Sequence, residues 1–289
     1  MKNIMKNYLR WPFCAVFFLV LQSNAQTRLP VLGMTTSYKN DSLLHAEGFV
    51  YIEETVTKLL SPDIPEDTFR LRLQQIRKMR CKLENCNGFF PGTMKLVGPA
   101  VNENQVLTYV DKVMQRAKIT GIKTIVLGSG TARNIPDGVN HDSVRVQFID
   151  LCRKMAVIAA RYDCVIAIEN LNSTETNFVT SLAEANNIVN AVHHPNFKLT
   201  ADIYHMLKEH ETADNIEKAG SNLVHCHIAE REKRTPPGVA GDDFRPYMLA
   251  LHHIGFTGKI SLECRWENME TQGRPALEYL RKQIISSYK

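Results

Sequence analysis

The sequence predicts an α/β protein built as a single (β/α)8 TIM barrel, on three observations. Short apolar runs of strand length alternate with helix-length segments eight times along the chain. Such alternation predicts a parallel sheet with helices outside it. Four consecutive predicted strands end in an acid or a histidine. A closed barrel rings all its strand ends around one mouth, whereas an open doubly wound sheet would gather active residues at its switch point. Finally, the 289 residues, less a leader, approach the ~250 residues typical of one such barrel.

Residues 1–25 read as a secretory signal, leaving 26–289 as the barrel domain. Lys2, Lys6 and Arg10 form a basic start, Phe13 to Leu21 an apolar run too short to span a bilayer comfortably, and Ser23-Asn24-Ala25 a small-x-small cleavage pattern. Export to the periplasm or the extracellular space follows as an expectation, with no stable membrane insertion after cleavage.

The elements then follow in order. Pro30 to Thr35 is the first strand, Ser42 to Glu47 a short helix closed by Gly48, and Phe49 to Glu53 a second strand ending in an acid. Pro65 and Glu66 open a helix with Phe69, Leu73, Ile76 and Met79 at helical spacing. Cys81 to Cys86 is a third, less apolar strand. The loop after it carries Phe89-Phe90, read as a cap on the barrel core in preference to a sugar-stacking lid. Glu103 to Thr120 is a helix, and Thr124 to Leu127 a fourth strand running into the tight turn Gly128-Ser129-Gly130. Val144 to Tyr162 is a long helix. Helices Leu182–Val192, Leu207–Ala219 and Phe244–Ile254 follow the next three strands, and Pro275 to Ser286 closes the chain.

The last four strands carry the chemistry. Cys164 to Ile168 is an uninterrupted apolar run that ends in Glu169, with Asn170, Asn172 and Glu175 beyond. Such a run suits a strand buried on both faces. Phe197 to Ala201 ends in Asp202, with His205 three residues on; Leu223-Val224 runs into His225-Cys226-His227; Lys259 to Leu262 ends in Glu263. Three carboxylates and a histidine form the mixed oxygen and nitrogen donor set a divalent cation uses. Cys226 faces away from both histidines, because side chains alternate along a strand.

Composition restricts the partners. The chain carries +5, of which Lys2, Lys6 and Arg10 supply three charges in a leader without acids, so the mature protein is close to neutral at +2. That opposes nucleic-acid binding and an abasic-site endonuclease role. Of seven cysteines, one lies in the leader; Cys152, Cys164, Cys226 and Cys264 read as buried small hydrophobes, and Cys81 and Cys86 stand too far apart along an extended segment to bond. No disulfide framework is expected.

These residues resemble the sugar phosphate isomerase/epimerase family of xylose isomerase-like barrels, and within it the ketose 3-epimerases. The resemblance covers essentially the whole mature chain. It is most specific in Glu169-Asn170-Leu171-Asn172 with Glu175, in Asp202-Ile203-Tyr204-His205-Met206, in His225-Cys226-His227 and in Glu263. It implies a metal, often manganese, held by Glu169, Asp202, His227 and Glu263, with Glu169 and Glu263 exchanging the substrate proton. It places Glu175, His205 and a basic residue near position 233 against substrate oxygens. The chain departs from the epimerase pattern in Asn170 where a proline is common, in Lys233-Arg234 where one arginine is expected, and in Cys264-Arg265-Trp266.

The chemistry is consistent with that family. A cation bound to a carbonyl and its neighbouring hydroxyl stabilises an enediolate, while carboxylates on opposite faces remove and return the proton. Oxygen ligands with one imidazole suit Mn²⁺, Mg²⁺ or Co²⁺, with Zn²⁺ also admissible. Of the two histidines, His227 lies nearer the strand end and is assigned to the metal; His225 is expected one layer deeper, as a hydrogen-bonded core residue. His205, Lys233 and Arg234 are expected near substrate, and Trp266 either stacks on a sugar ring or closes the barrel. The expected activity is isomerisation or epimerisation of a small sugar or glycoside, the alternative a lyase or hydrolase acting on keto-glycosides. A homo-oligomer is compatible with both.

Overall fold

A computed structural model describes residues 28–288; the leader assigned to residues 1–25 lies outside them. Eight parallel strands close into a barrel in chain order: β1 (Val31–Thr35), β2 (Tyr51–Thr55), β3 (Lys82–Asn87), β4 (Thr124–Leu127), β5 (Val165–Glu169), β6 (Phe197–Asp202), β7 (Leu223–Ile228) and β8 (Lys259–Leu262). β1 pairs with β8, so no edge is left open. The helices are α1 (Asp41–Glu47), α2 (Val56–Leu59), α3 (Glu66–Ile76), α4 (Glu103–Thr120), α5 (Gly130–Arg133), α6 (His141–Arg161), α7 (Leu182–Val192), α8 (Ile203–Lys208), α9 (Asp214–Ala219), α10 (Arg245–His253) and α11 (Met269–Ser287). Among the described residues no helix is long and apolar enough to cross a membrane.

The core is the shell between strands and helices. Outward side chains such as Ile166, Ile168, Leu199 and Cys226 are fully buried beneath helix faces carrying Phe148, Met155, Ile188 and Leu251. Phe89 and Phe90 are buried with ring centroids 4.2 Å apart, and Phe90 lies 5.4 Å from Tyr109. The Tyr109 hydroxyl donates to the Phe89 carbonyl at 2.9 Å. The pair is a core cap and not a lid. The six cysteines among the described residues are free, and five are buried.

The structure corrects four element boundaries. The second strand starts at Tyr51 instead of Phe49, because Gly48 ends α1 with φ 95° and the Phe49 N–H turns back to the Leu44 carbonyl. The helix expected over Leu207–Ala219 is two helices, α8 and α9, separated at His210, whose φ is +54°. In that break Glu211 accepts from the Leu182 and Ala183 N–H groups at 2.8 and 3.0 Å, satisfying the first turn of α7. The last helix begins at Met269, capped by the Asn268 side chain, and runs through Pro275 instead of starting there. The long helix before β5 starts at His141, where Asn140 caps it by accepting from the Ser143 N–H.

Strand register places the site. Glu169 pairs with Thr200, Asp202 with His227, and His227 with Ser261. The C-terminal ends of β5 to β8 therefore lie side by side at one mouth.

Candidate metal centre

Glu169, Asp202, His227 and Glu263 converge there. Each offers a ligand atom, and these four atoms all lie within 4.8 Å of one another. His227 Nδ1 is 2.6 Å from Glu169 Oε1 and 3.2 Å from Glu263 Oε2. Glu169, Asp202 and His227 are buried, and Glu263 is a quarter exposed, opening the cluster to the mouth.

Local backbone aims each group. Asp202 ends β6 and caps α8, its Oδ1 accepting from the His205 N–H at 3.1 Å, which leaves Oδ2 for the cluster. The Asn170 side chain brackets the same residue, donating to its carbonyl at 3.1 Å and accepting from its N–H at 2.9 Å. Gly128, at the end of β4, leaves room for the Glu169 carboxylate. Asn87, at the end of β3, donates to Glu263 Oε1 at 2.6 Å.

Burial pushes the Glu169 and Asp202 carboxyls above their ordinary pKa values. Burial acts the same way on Glu263, but His227 and Arg234 outweigh it and hold the group down to about 2. Burial would lower the His227 pKa, yet Glu53, Glu263 and Glu169 together raise it well above the usual histidine value. Three carboxylates drawn into one pocket repel each other and are stable there only with compensating positive charge. A hard divalent cation fits this oxygen-rich donor set with its single imidazole.

The residues expected near substrate divide. Arg234 reaches the cluster: Nη2 donates to Glu263 Oε2 and lies 3.3 Å from Asp202 Oδ2, and Nε donates to the Glu263 carbonyl at 2.9 Å. Its guanidinium lies 4.7 Å above the Tyr204 ring and 3.8 Å from Glu175 Oε1. Lys233 is exposed, so of the basic pair Arg234 is the one that enters the site. Glu175 is exposed at the rim. His205 is buried; its Nδ1 accepts from the Asn172 amide at 2.8 Å, and its Nε2 lies 3.4 Å from Asp202 Oδ2. Burial lowers its pKa to about 4. Trp266 is half-buried, packs against the core, and its indole N–H has no hydrogen-bond partner among the described residues.

Sequence reasoning assigned no role to two further groups, Glu53 and Arg133. Glu53 is fully buried, 2.8 Å from His225 Nε2 and 3.1 Å from His227 Nε2; its only signal was an acid at a strand end. His225 is one layer below His227, as expected, and also contacts Asn85. Arg133, on the four-residue α5, is fully buried and donates to the Glu169 carbonyl at 2.7 Å, tying down the end of β5.

Fold and site together define a xylose isomerase-like barrel with a carboxylate-rich cation site. The family model described as "Xylose isomerase-like TIM barrel" matches residues 43–283, and the chain belongs to that family. It is 26% identical over 164 residues to a D-psicose 3-epimerase of Enterocloster bolteae, covering 55% of this chain and 54% of that protein, so the match spans about half of that relative's length. It is 26% identical over 196 residues to the 3-dehydro-D-guloside 4-epimerase of Escherichia coli, covering 64% and 74%. A crystal structure of D-psicose 3-epimerase in the presence of D-fructose superposes with a TM-score of 0.77 at 19% identity, over 88% of this chain and 99% of that one.

Proposed function

We propose that this protein is an exported, divalent-metal-dependent isomerase or epimerase that moves a proton at a carbon next to a carbonyl in a free sugar or glycoside. The observation that carries this reading is the convergence of Glu169, Asp202, His227 and Glu263 from four consecutive strand ends, within 4.8 Å. Those four residues would hold the cation, which as a Lewis acid supplies stabilisation of the negative charge that develops on the substrate oxygens. Manganese is the first choice, with Mg²⁺, Co²⁺ and Zn²⁺ as alternatives.

The chain's own groups do the rest. Glu169 and Glu263 enter the mouth from β5 and from just beyond β8, so a substrate carbon held between them meets a carboxylate on each face. One removes the proton and the other returns one, which inverts the centre. Arg234, held over Tyr204, presents its fork to substrate oxygens and neutralises the carboxylates behind it. Glu175 stands exposed at the rim of the same opening, and His205 lies buried beside Asp202. The leader read at residues 1–25 favours unphosphorylated substrates met outside the cytoplasm.

The test is incubation of the protein and Mn²⁺ with a panel of ketoses and keto-glycosides in D₂O. Deuterium at the carbon next to the carbonyl is the expected result; none with any of them would sink the reading. Similarity to a 3-dehydro-D-guloside 4-epimerase favours including keto-glycosides and a second reading. A carbanion next to a glycosidic leaving group can eliminate, so release of free aglycone would identify a lyase instead.

A further inference from the structure

Beneath the cation cluster lies a buried polar chain that crosses the barrel interior. It runs from Asn85 on β3 to His225 on β7, then to Glu53 on β2, and back to His227 on β7. Glu53, His225 and His227 are all inaccessible to solvent. The two rings stand at 87° with centroids 4.9 Å apart, and the single carboxylate reaches both of them.

The donor and acceptor roles along this chain follow from the orientation of the Asn85 amide, whose nitrogen faces His225. The Asn85 amide nitrogen only donates, so at 3.1 Å it requires a lone pair on His225 Nδ1. A neutral imidazole carries one N–H, which places the His225 hydrogen on Nε2, 2.8 Å from Glu53 Oε2. An ionised carboxylate only accepts, so Glu53 Oε1 takes a hydrogen from His227 Nε2 at 3.1 Å. With a cation held among Glu169, Asp202, His227 and Glu263, the His227 lone pair would be on Nδ1, the atom facing Glu169 and Glu263, and the Nε2 hydrogen given to Glu53 would be its one ring hydrogen.

We infer that Glu53 is a positioning residue: with His225 and Asn85 it fixes the tautomer and ring orientation of His227, so that Nδ1 is the atom offered to the cation. The ligand atoms of Glu53, His225 and His227 also lie within 4.8 Å of one another. A separate cation among them is disfavoured, because Asn85 leaves a hydrogen, not a lone pair, on the His225 nitrogen that faces Glu53. This inference rests on the proposed cation site and not on the identity of the sugar.

Two measurements decide it. In the wild-type protein loaded with Mg²⁺, nitrogen NMR of labelled imidazoles should find the His227 proton on Nε2; a proton on Nδ1 would overturn the inference. Glu53→Gln places an amide donor against one of the two histidines, and its Mn²⁺ affinity by calorimetry should fall roughly 10–100-fold, the usual effect of losing such a partner. A folded Glu53→Gln protein that binds Mn²⁺ within about twofold of wild type would also overturn it. If the variant does not fold, the wild-type spectrum decides. Cation binding with no action on any sugar would remove the substrate reading and leave the role of Glu53 standing.

Discussion

Gly128 and Glu169 occupy the same small volume: a Cβ on Gly128 would lie 2.2 Å from Glu169 Oε2. No side chain fits at position 128 while that carboxylate holds its place. The tight turn read from Gly128-Ser129-Gly130 thus has a function at the site, which is to admit the carboxylate.

Gly128→Ala should therefore push the Glu169 carboxylate off the cluster without disturbing the barrel wall. Misplacing a reacting group by about 1 Å costs on the order of 100-fold in rate, and a loss of that size in kcat is expected. Deuterium-exchange kinetics on a responsive ketose would measure it. Wild-type kcat in this variant would show that Glu169 is free to relocate.

Much of this site is legible in the sequence because its residues terminate apolar runs. Glu169, Asp202 and Glu263 each follow a strand core, and alternation in His225-Cys226-His227 separates the inward from the outward side chains. Glu53 is different. It belongs to the site only through histidines more than 170 positions away, and a lone acid at a strand end has many uses. Arg133 resembles a surface arginine until α5 is seen folded beneath the β5 loop. The break between α8 and α9 falls in the wholly polar Lys208-Glu209-His210-Glu211-Thr212, which a solvent-facing helix turn could equally carry, and the contact made there, Glu211 capping α7, is tertiary.

Arg234 is expected to be irreplaceable by lysine. Its guanidinium bridges Asp202 and Glu263 while stacked over Tyr204, a geometry that needs the planar fork. A hydrogen bond to a charged group contributes about 1.5–3 kcal/mol, so Arg234→Lys and Arg234→Ala should both lower kcat/KM by roughly 10–100-fold. Steady-state kinetics of the pair tests this. Near-wild-type behaviour of the lysine variant would reduce Arg234 to a point charge.

The loop that carries Arg234 is closed around one carboxylate. Glu230 is fully buried and accepts from the Thr235 hydroxyl at 2.9 Å, the Gly238 N–H at 2.7 Å, the Gly241 N–H at 2.9 Å and the Ala240 N–H. Glu230→Gln turns one acceptor into a donor facing donors, at a cost of about 1–3 kcal/mol for each group left unpaired. Trypsin should then cut faster at Arg231, Lys233 or Arg234 while the rest of the chain resists. Unchanged cleavage would mean that other contacts hold the loop.

Cation removal should leave a weaker fold. Without a cation, Glu169, Asp202 and Glu263 share the pocket with His227 and Arg234 to offset part of their charge. A cation that binds only the folded chain stabilises it by about 2.7 kcal/mol at 100 times its Kd. For a chain of this size that is a rise in Tm of roughly 5–10 °C. Chelator-treated protein titrated with Mn²⁺ in a thermal melt should show this rise, and Asp202→Asn, which removes a negatively charged ligand, should show little of it. The substitution keeps the shape of the side chain and the carbonyl oxygen that caps α8, so the missing rise would report on the ligand set and not on a damaged barrel. An equal rise in both proteins would place the binding elsewhere, and none in either would mean that the four side chains gather without holding Mn²⁺.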